Sequence, residues 1–324
     1  MRELTYAQAI NEGIREEMRR EPRMMIMGED VGKYGGVFGV TRGLFDEFGG
    51  ERVRDCPLNE AAIVGFAVGL AISGRPTLAE LEFMDFVTFA MDPIVNQAAK
   101  MRYFWGGQVQ MPLVVRTPIA AHMGFGSQHS QSLEAWFMHV PGLKVVMPST
   151  PYDAKGLIKT ALRDPNPVVF AESIGLYRTK GDVPAEDYAL PFGRAAIKRA
   201  GKDITVVALG AMVLKALDAA EQLAQRGIEV EVIDPMTLAP LDIETIVASV
   251  KKTSRLVVAH QAHKIGGAGA EIAQQVTEQA FDFLDGPVQR VAAAHVPAAA
   301  SQALEDQLYP GAAEIIAACL SFGL

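Results

Sequence analysis

Cysteine is scarce in this chain. Cys56 and Cys319 are the only two among 324 residues, so neither a disulfide framework nor a thiolate metal cluster is written here. Positive charge is not in surplus either. Thirty Lys and Arg stand against 38 Asp and Glu, a net charge of −8, which argues against the basic face of a nucleic-acid binder. No run of about 18 apolar residues exists to span a bilayer. The N-terminal MRELTYAQAINEGIREEM turns amphipathic at once, without the apolar core of a signal peptide. The expectation is a soluble cytoplasmic protein with no membrane partner. The usual phosphate and nucleophile loops are missing as well: neither G-x-x-x-x-G-K-S/T nor G-x-S-x-G occurs. HKIGGAGAEIAQQ (263–275) fails the dinucleotide spacing and reads as a strand-to-helix turn whose glycines permit close packing. His260 and His263 lack the partners of a zinc helix and read as a satisfied surface or interface pair.

What remains is a chain that is 49% hydrophobic and 21% charged, the profile of a folded protein with a large core. At about 150 residues per domain, its length predicts two domains. Ala7, Ile10, Ile14 and Met18 keep helical spacing behind Thr5, a candidate N-cap. Residues 60–73 read as a helix apolar nearly all round, hence buried. Strands are expected at 77–83, 113–117, 144–148 and 167–172, with helical stretches near 85–104, 131–138 and 151–163. Residues 178–200 lose this rhythm, and a second alternation of strand and helix runs from 204 to 293. Such alternation calls for α/β architecture with mostly parallel sheets. The domains are placed at 1–180 and 201–324, with a linker over 181–200.

Three segments carry residues suited to chemistry. In RDCPLNEAAIVGFAVGLAISG (54–74), Glu60 opens the apolar helix. It reads either as a first-turn carboxylate facing the helix dipole or as a carboxyl at the mouth of an apolar pocket, sharing a proton with a heterocyclic nitrogen. In AELEFMDFVTFAMDPIVNQAAKMRYFWGG (79–107), acidic residues meet several aromatics. There Phe86 reads as core or as a flat surface for a stacked ring. In GFGSQHSQSLEAWFMHVPG (124–142), His129 lies in a polar loop, where an imidazole can transfer a proton or orient a substrate. His139, before Pro141, reads as structural.

Together, and in this order, these segments resemble the beta subunit of the thiamine-diphosphate-dependent first enzyme of 2-oxo acid dehydrogenase complexes, the pyruvate, branched-chain and acetoin dehydrogenase family. MGEDVGKYGGVFGVTRGL (27–44), DPNPVVFAE (164–172) and VIDPMTLAPLDIETI (232–246) carry the similarity along nearly the whole chain. The resemblance implies a transketolase-like pyrimidine-binding domain followed by a transketolase C-terminal domain. It places Glu60 on the carboxylate that engages N1′ of the aminopyrimidine, Phe86 on the aromatic that packs against that ring, and Glu82 in the lining of the same pocket. It places His129 on the histidine linked with acyl transfer to lipoamide. The diphosphate and magnesium cradle of this superfamily begins GDG and ends in asparagine. The only GD here is Gly181-Asp182-Val183 in the linker, so an alpha subunit is expected to hold that half, in an α2β2 heterotetramer docked on a lipoyl acyltransferase core.

The resemblance further implies a potassium site of carbonyls at Leu113, Ala161 and Leu162 with side-chain oxygens of Asp164 and Asn166. A helix stop followed by a turn explains the same residues without a cation. The substrate is expected to be a small 2-oxo acid, pyruvate first and branched-chain acids next, with acetoin as the alternative. Two rivals are a non-catalytic scaffold, which would have lost Glu60 or His129, and a self-contained transketolase, which would need the missing diphosphate motif.

Overall fold

In the computed structural model, which describes Met1 to Leu324, the chain divides into two units. The first comprises Met1–Ile119 and Trp136–Phe192, the second Ala120–Ala135 and Gly193–Leu324. An expected domain of residues 1–180 overlooks one exchange: the loop 120–135 packs with the second unit.

The first unit begins with β1 (Arg2–Thr5) and α1 (Tyr6–Arg20). Thr5 caps α1 through a reciprocal pair: its hydroxyl accepts the Gln8 amide, and the Gln8 side chain accepts the Thr5 amide. Next come β2 (Met25–Gly28), α2 (Leu44–Phe48), β3 (Val53–Asp55), α3 (Glu60–Ile72) and β4 (Thr77–Glu80). They are followed by α4 (Ala99–Phe104), β5 (Leu113–Ile119), α5 (Glu134–Met138) and β6 (Lys144–Val146). The unit closes with α6 (Pro151–Arg163), β7 (Val168–Ser173) and β8 (Lys180–Val183). Six strands pair in parallel in the order β6-β7-β5-β4-β2-β3. β2, β4, β5 and β7 are buried along their whole length. Burial on both faces is why these strands read as nearly continuous apolar runs.

Two elements differ from expectation. The stretch 85–104 is a 3₁₀ segment (Met84–Ala90), a π segment (Asp92–Ala98) and then α4. Pro93 has no amide hydrogen for the preceding turn, so a regular ladder cannot pass through it. α3 is present but only half covered. Ile63, Val64, Ala67, Val68 and Ala71 are buried, whereas Phe66 is 70% exposed and Ala61, Gly65, Gly69 and Ile72 are bare. A helix apolar on every side needs two covers, and this chain provides one.

The second unit runs β9 (Ala196–Arg199), β10 (Ile204–Ala208), α7 (Met212–Ala224), β11 (Val230–Asp234), β12 (Thr237–Ala239) and α8 (Ile243–Thr253). It continues β13 (Leu256–His263), α9 (Ala268–Ala280), β14 (Gln289–Ala293), α10 (Gln302–Leu308) and α11 (Ala312–Leu320). Its sheet has the order β14-β13-β10-β11-β9, parallel except at the β9 edge. Both ends of the expected linker are therefore structured, since β8 pairs antiparallel with β1 and β9 with β11. Val206, Val257, Ala216 and Ile315 belong to the core of this unit.

His260 is not at the surface. It is fully buried on β13, and burial pulls its pKa down to about 4, leaving a neutral ring. Its Nδ1 lies 3.1 Å from the Ala262 carbonyl oxygen. Gly267 and Gly269 make room for the imidazole. A Cβ at either position would fall 2.6–2.7 Å from a ring atom. Both cysteines are free thiols, and no helix is long and apolar enough to cross a membrane.

Candidate active site

The topology of the first unit gathers carboxylates. β4, β2 and β3 are parallel neighbours. Glu29 follows the last residue of β2, Glu82 lies two residues beyond β4, and Glu60 begins the helix that follows β3. All three come off the carboxyl-end edge of adjacent strands, where open parallel sheets build their sites. Asn59 caps α3 by accepting the Ala62 amide at 3.0 Å, which fixes where Glu60 enters. Glu60 is buried, 7% exposed, and its carboxylate has no hydrogen-bond partner within the chain. Gly28 lets the chain turn into this edge, because a Cβ there would come within 2.8 Å of the Glu80 carbonyl oxygen.

The carboxyls stand close enough to raise one another's pKa. Burial, then the charges of Glu29, Asp30, Glu80 and Glu60, push the Glu82 pKa up to about 7. Burial, then Glu60 and Asp30, also raises that of Glu29, whose Oε1 is buried without a hydrogen-bond partner. The buried cation beside this group is already engaged. Arg116 on β5 pairs with Glu80, lies 2.5 Å from Glu172 through Nε, and donates to the Tyr177 hydroxyl at 3.0 Å. Burial opposes its charge, but Glu172 and Glu80 outweigh burial and hold it firmly protonated. Glu29, absent from the expected set, had a signal in the sequence: an acid placed directly after a strand.

The aromatics form a wall nearby in the chain. Phe86 is half-buried. Its ring packs edge-on to Phe83 at 5.9 Å and tilted to Phe89 at 6.4 Å, and Phe83 meets Phe38 edge-on at 5.5 Å. A ring fixed this way offers a flat face to another aromatic. Carboxyls able to share protons together with such a wall fit an aminopyrimidine. They do not fit a diphosphate, which four or five acidic groups would repel and Arg116 is not free to bind. His129 stands in the other unit, on the loop 120–135, half-buried, with its amide donating to the Gly126 carbonyl at 3.3 Å.

The residues expected around potassium have other partners. Asp164 pairs with Lys144 and accepts both the Asn166 amide and its Nδ2 at 2.9 Å. The Asn166 Oδ1 accepts from Arg102 at 2.7 Å. A cation would compete with Lys144 at Asp164 and with Arg102 at Asn166, and the Ala161 carbonyl already accepts the Asp164 amide at 3.3 Å.

The transketolase pyrimidine-binding domain model matches residues 2–180, and the transketolase C-terminal domain model matches residues 193–315. The chain is 46% identical to the acetoin:2,6-dichlorophenolindophenol oxidoreductase subunit beta of Cupriavidus necator, over 98% of this chain and 96% of that protein. It is 46% identical to the 2-oxoisovalerate dehydrogenase subunit beta of Bacillus subtilis, over 91% and 90%. Against the pyruvate dehydrogenase E1 component subunit beta of Rhizobium meliloti the identity is 44%, over 98% and 69%. A split gene transketolase, solved as an inactive beta4 tetramer, superposes with a TM-score of 0.81 at 25% identity, covering 98% of this chain and 97% of that one.

Proposed function

Because this chain belongs to the family of E1 beta subunits of the pyruvate, branched-chain 2-oxo acid and acetoin dehydrogenases, built of transketolase pyrimidine-binding and C-terminal domains, we propose that it provides the proton-handling half of a shared thiamine diphosphate site. An alpha subunit provides the half that grips the diphosphate and magnesium. The observation that carries this reading is the crowd of carboxyls at one sheet edge, Glu60 and Glu80 buried and Glu29 and Glu82 half-buried, with Arg116 already engaged and Glu82 titrating near 7. That crowd suits the pyrimidine end of the cofactor and rejects the phosphate end. The split gene transketolase agrees in kind, its beta4 tetramer being inactive.

Each residue has a role in this reading. When bound, thiamine diphosphate supplies the nucleophilic carbon and the electron sink for cleaving a bond next to a carbonyl. Glu60 holds the proton at N1′ of the pyrimidine, where burial keeps water from competing. Glu82, poised between its two protonation states at neutral pH, hydrogen-bonds on the same ring. Phe86 stacks against it. His129 moves a proton as the acyl group passes to lipoamide on an acyltransferase core. Potassium would be held by the carbonyls of Leu113, Ala161 and Leu162, with Asp164 and Asn166 keeping their present partners. The assembly is an α2β2 heterotetramer, and the exposed face of α3 is one surface for it.

The donor is pyruvate or a branched-chain 2-oxo acid, with acetoin as the second reading, favoured by the 46% identity to the Cupriavidus subunit over nearly its full length. The test assays the chain reconstituted with its alpha subunit on pyruvate, 3-methyl-2-oxobutanoate and acetoin with an artificial electron acceptor. Turnover of one donor well above the others is expected. Inertness toward all three would overturn the assignment.

A further inference from the structure

We propose that α10 and the tyrosine following it act as a latch on the His129 loop, with Glu305 and Tyr309 as positioning residues; this rests on the role given to His129 above and extends it. Residues 120–133 have no regular structure. Three of them stand at left-handed φ within five positions: His122 at 67°, Gly124 at 73° and Gly126 at 77°. Glycine adopts that conformation freely and histidine does not. A segment bent in this way keeps its shape only where surrounding contacts specify it.

Contacts from α10 and Tyr309 bracket the histidine. On the near side, the fully buried Glu305 carboxylate accepts the Gly124 amide at 2.6 Å. On the far side, the buried Tyr309 hydroxyl donates to the Ser130 carbonyl at 2.8 Å, one residue past His129. Asp306 adds a third tie, 2.9 Å from Nε2 of His122, and the Tyr309 ring lies 6.1 Å from that imidazole. The turn closed by the His129 amide on Gly126 therefore sits between two anchors. Glu305 Oε1 is buried without a hydrogen-bond partner. Burying a carboxylate so incompletely satisfied is destabilising, a cost that loop packing alone does not call for and that a required imidazole position does.

The test uses the enzyme assembled with its alpha subunit and whichever donor it turns over, comparing oxidation by an artificial acceptor with acyl transfer to lipoamide. Tyr309→Phe keeps the ring and loses the donated hydrogen bond, and Glu305→Ala loses the acceptor. Each is expected to lower kcat for transfer about tenfold, the size of one hydrogen bond's effect on positioning. The acceptor-coupled rate and the donor KM should hold. Glu305→Gln retains an oxygen that can accept from Gly124 and should restore most of the transfer rate. Equal losses in both rates, or no loss in either, would overturn the latch. His129→Ala, run beside them, separates the two possible failures. If it splits the rates while the latch variants do not, only the latch is wrong. If it leaves transfer intact, the role of His129 is wrong and the latch falls with it.

Discussion

Carboxyl groups that share one edge of a sheet cannot all ionise near neutral pH without repelling each other, and Glu82 is where that repulsion is felt. Its ordinary pKa of 4.5 rises to about 7 in the fold. An acid with a raised pKa binds a proton in the native state that the unfolded chain has already lost, so its contribution is complete below about pH 4.5 and disappears as pH climbs through 7. Glu82→Gln removes that ionisation. Its melting temperature should gain on the wild type between pH 5 and pH 8, as read by calorimetry; a difference constant across that range would contradict the raised pKa. Glu60→Gln should leave the circular dichroism spectrum unchanged and cut turnover of the assembled enzyme by about 10² to 10⁴, the range for losing a positioned acid–base group. Near-normal turnover would remove Glu60 from the mechanism. Glu60, Phe86 and His129 stand out as candidates in the sequence through their local setting, and Glu82 through the family resemblance alone. Glu29 carries a weaker signal, its place directly after a strand: inside the turn-rich GEDVGKYGG its acid looks like any solvated loop residue, and the pairing of β2 with β4 is what shows which groups it faces.

α3 carries the difference between what periodicity can and cannot tell. Apolar residues on every side predicted burial, but sequence alone cannot say whether the second cover comes from the same chain. Phe66 at 70% exposure forgoes about 1.5–3 kcal/mol that burial would return, a reason for the helix to meet a partner. Nothing lies within 4 Å of a Cβ built on Gly65 or Gly69, so the folded chain has room for a larger residue there. Gly69→Leu should therefore leave the isolated chain as stable as before, or firmer by up to about 1 kcal/mol from helix propensity, while light scattering shows it failing to assemble with the alpha subunit. Normal assembly of that variant would place the interface elsewhere. The stretch 85–104 and the loop 120–135 escaped sequence reading for related reasons. Pro93 breaks a ladder whose replacement depends on local packing, and the loop's allegiance is set by Glu305 and Tyr309, more than 170 residues away in the chain.

At the scale of the molecule, the α/β class, the parallel sheets and the division into two units follow from the alternation of elements. The proposed sharing of the site rests on charge. Glu29, Glu60, Glu80 and Glu82 share one edge, and the buried guanidinium of Arg116 beside them is engaged by Glu80 and Glu172. Such a surface can exchange protons with a heterocycle but cannot neutralise a diphosphate, and the chain has no GDG-to-asparagine segment for the task. Affinity for the cofactor should then belong to the assembly, as linkage requires when a site spans two chains. Titrating thiamine diphosphate with magnesium by calorimetry, into the isolated chain and into its complex with the alpha subunit, tests this most directly. Saturable heat is expected from the complex and none above dilution from the chain alone; tight binding to the chain alone would mean that this chain grips the diphosphate by itself.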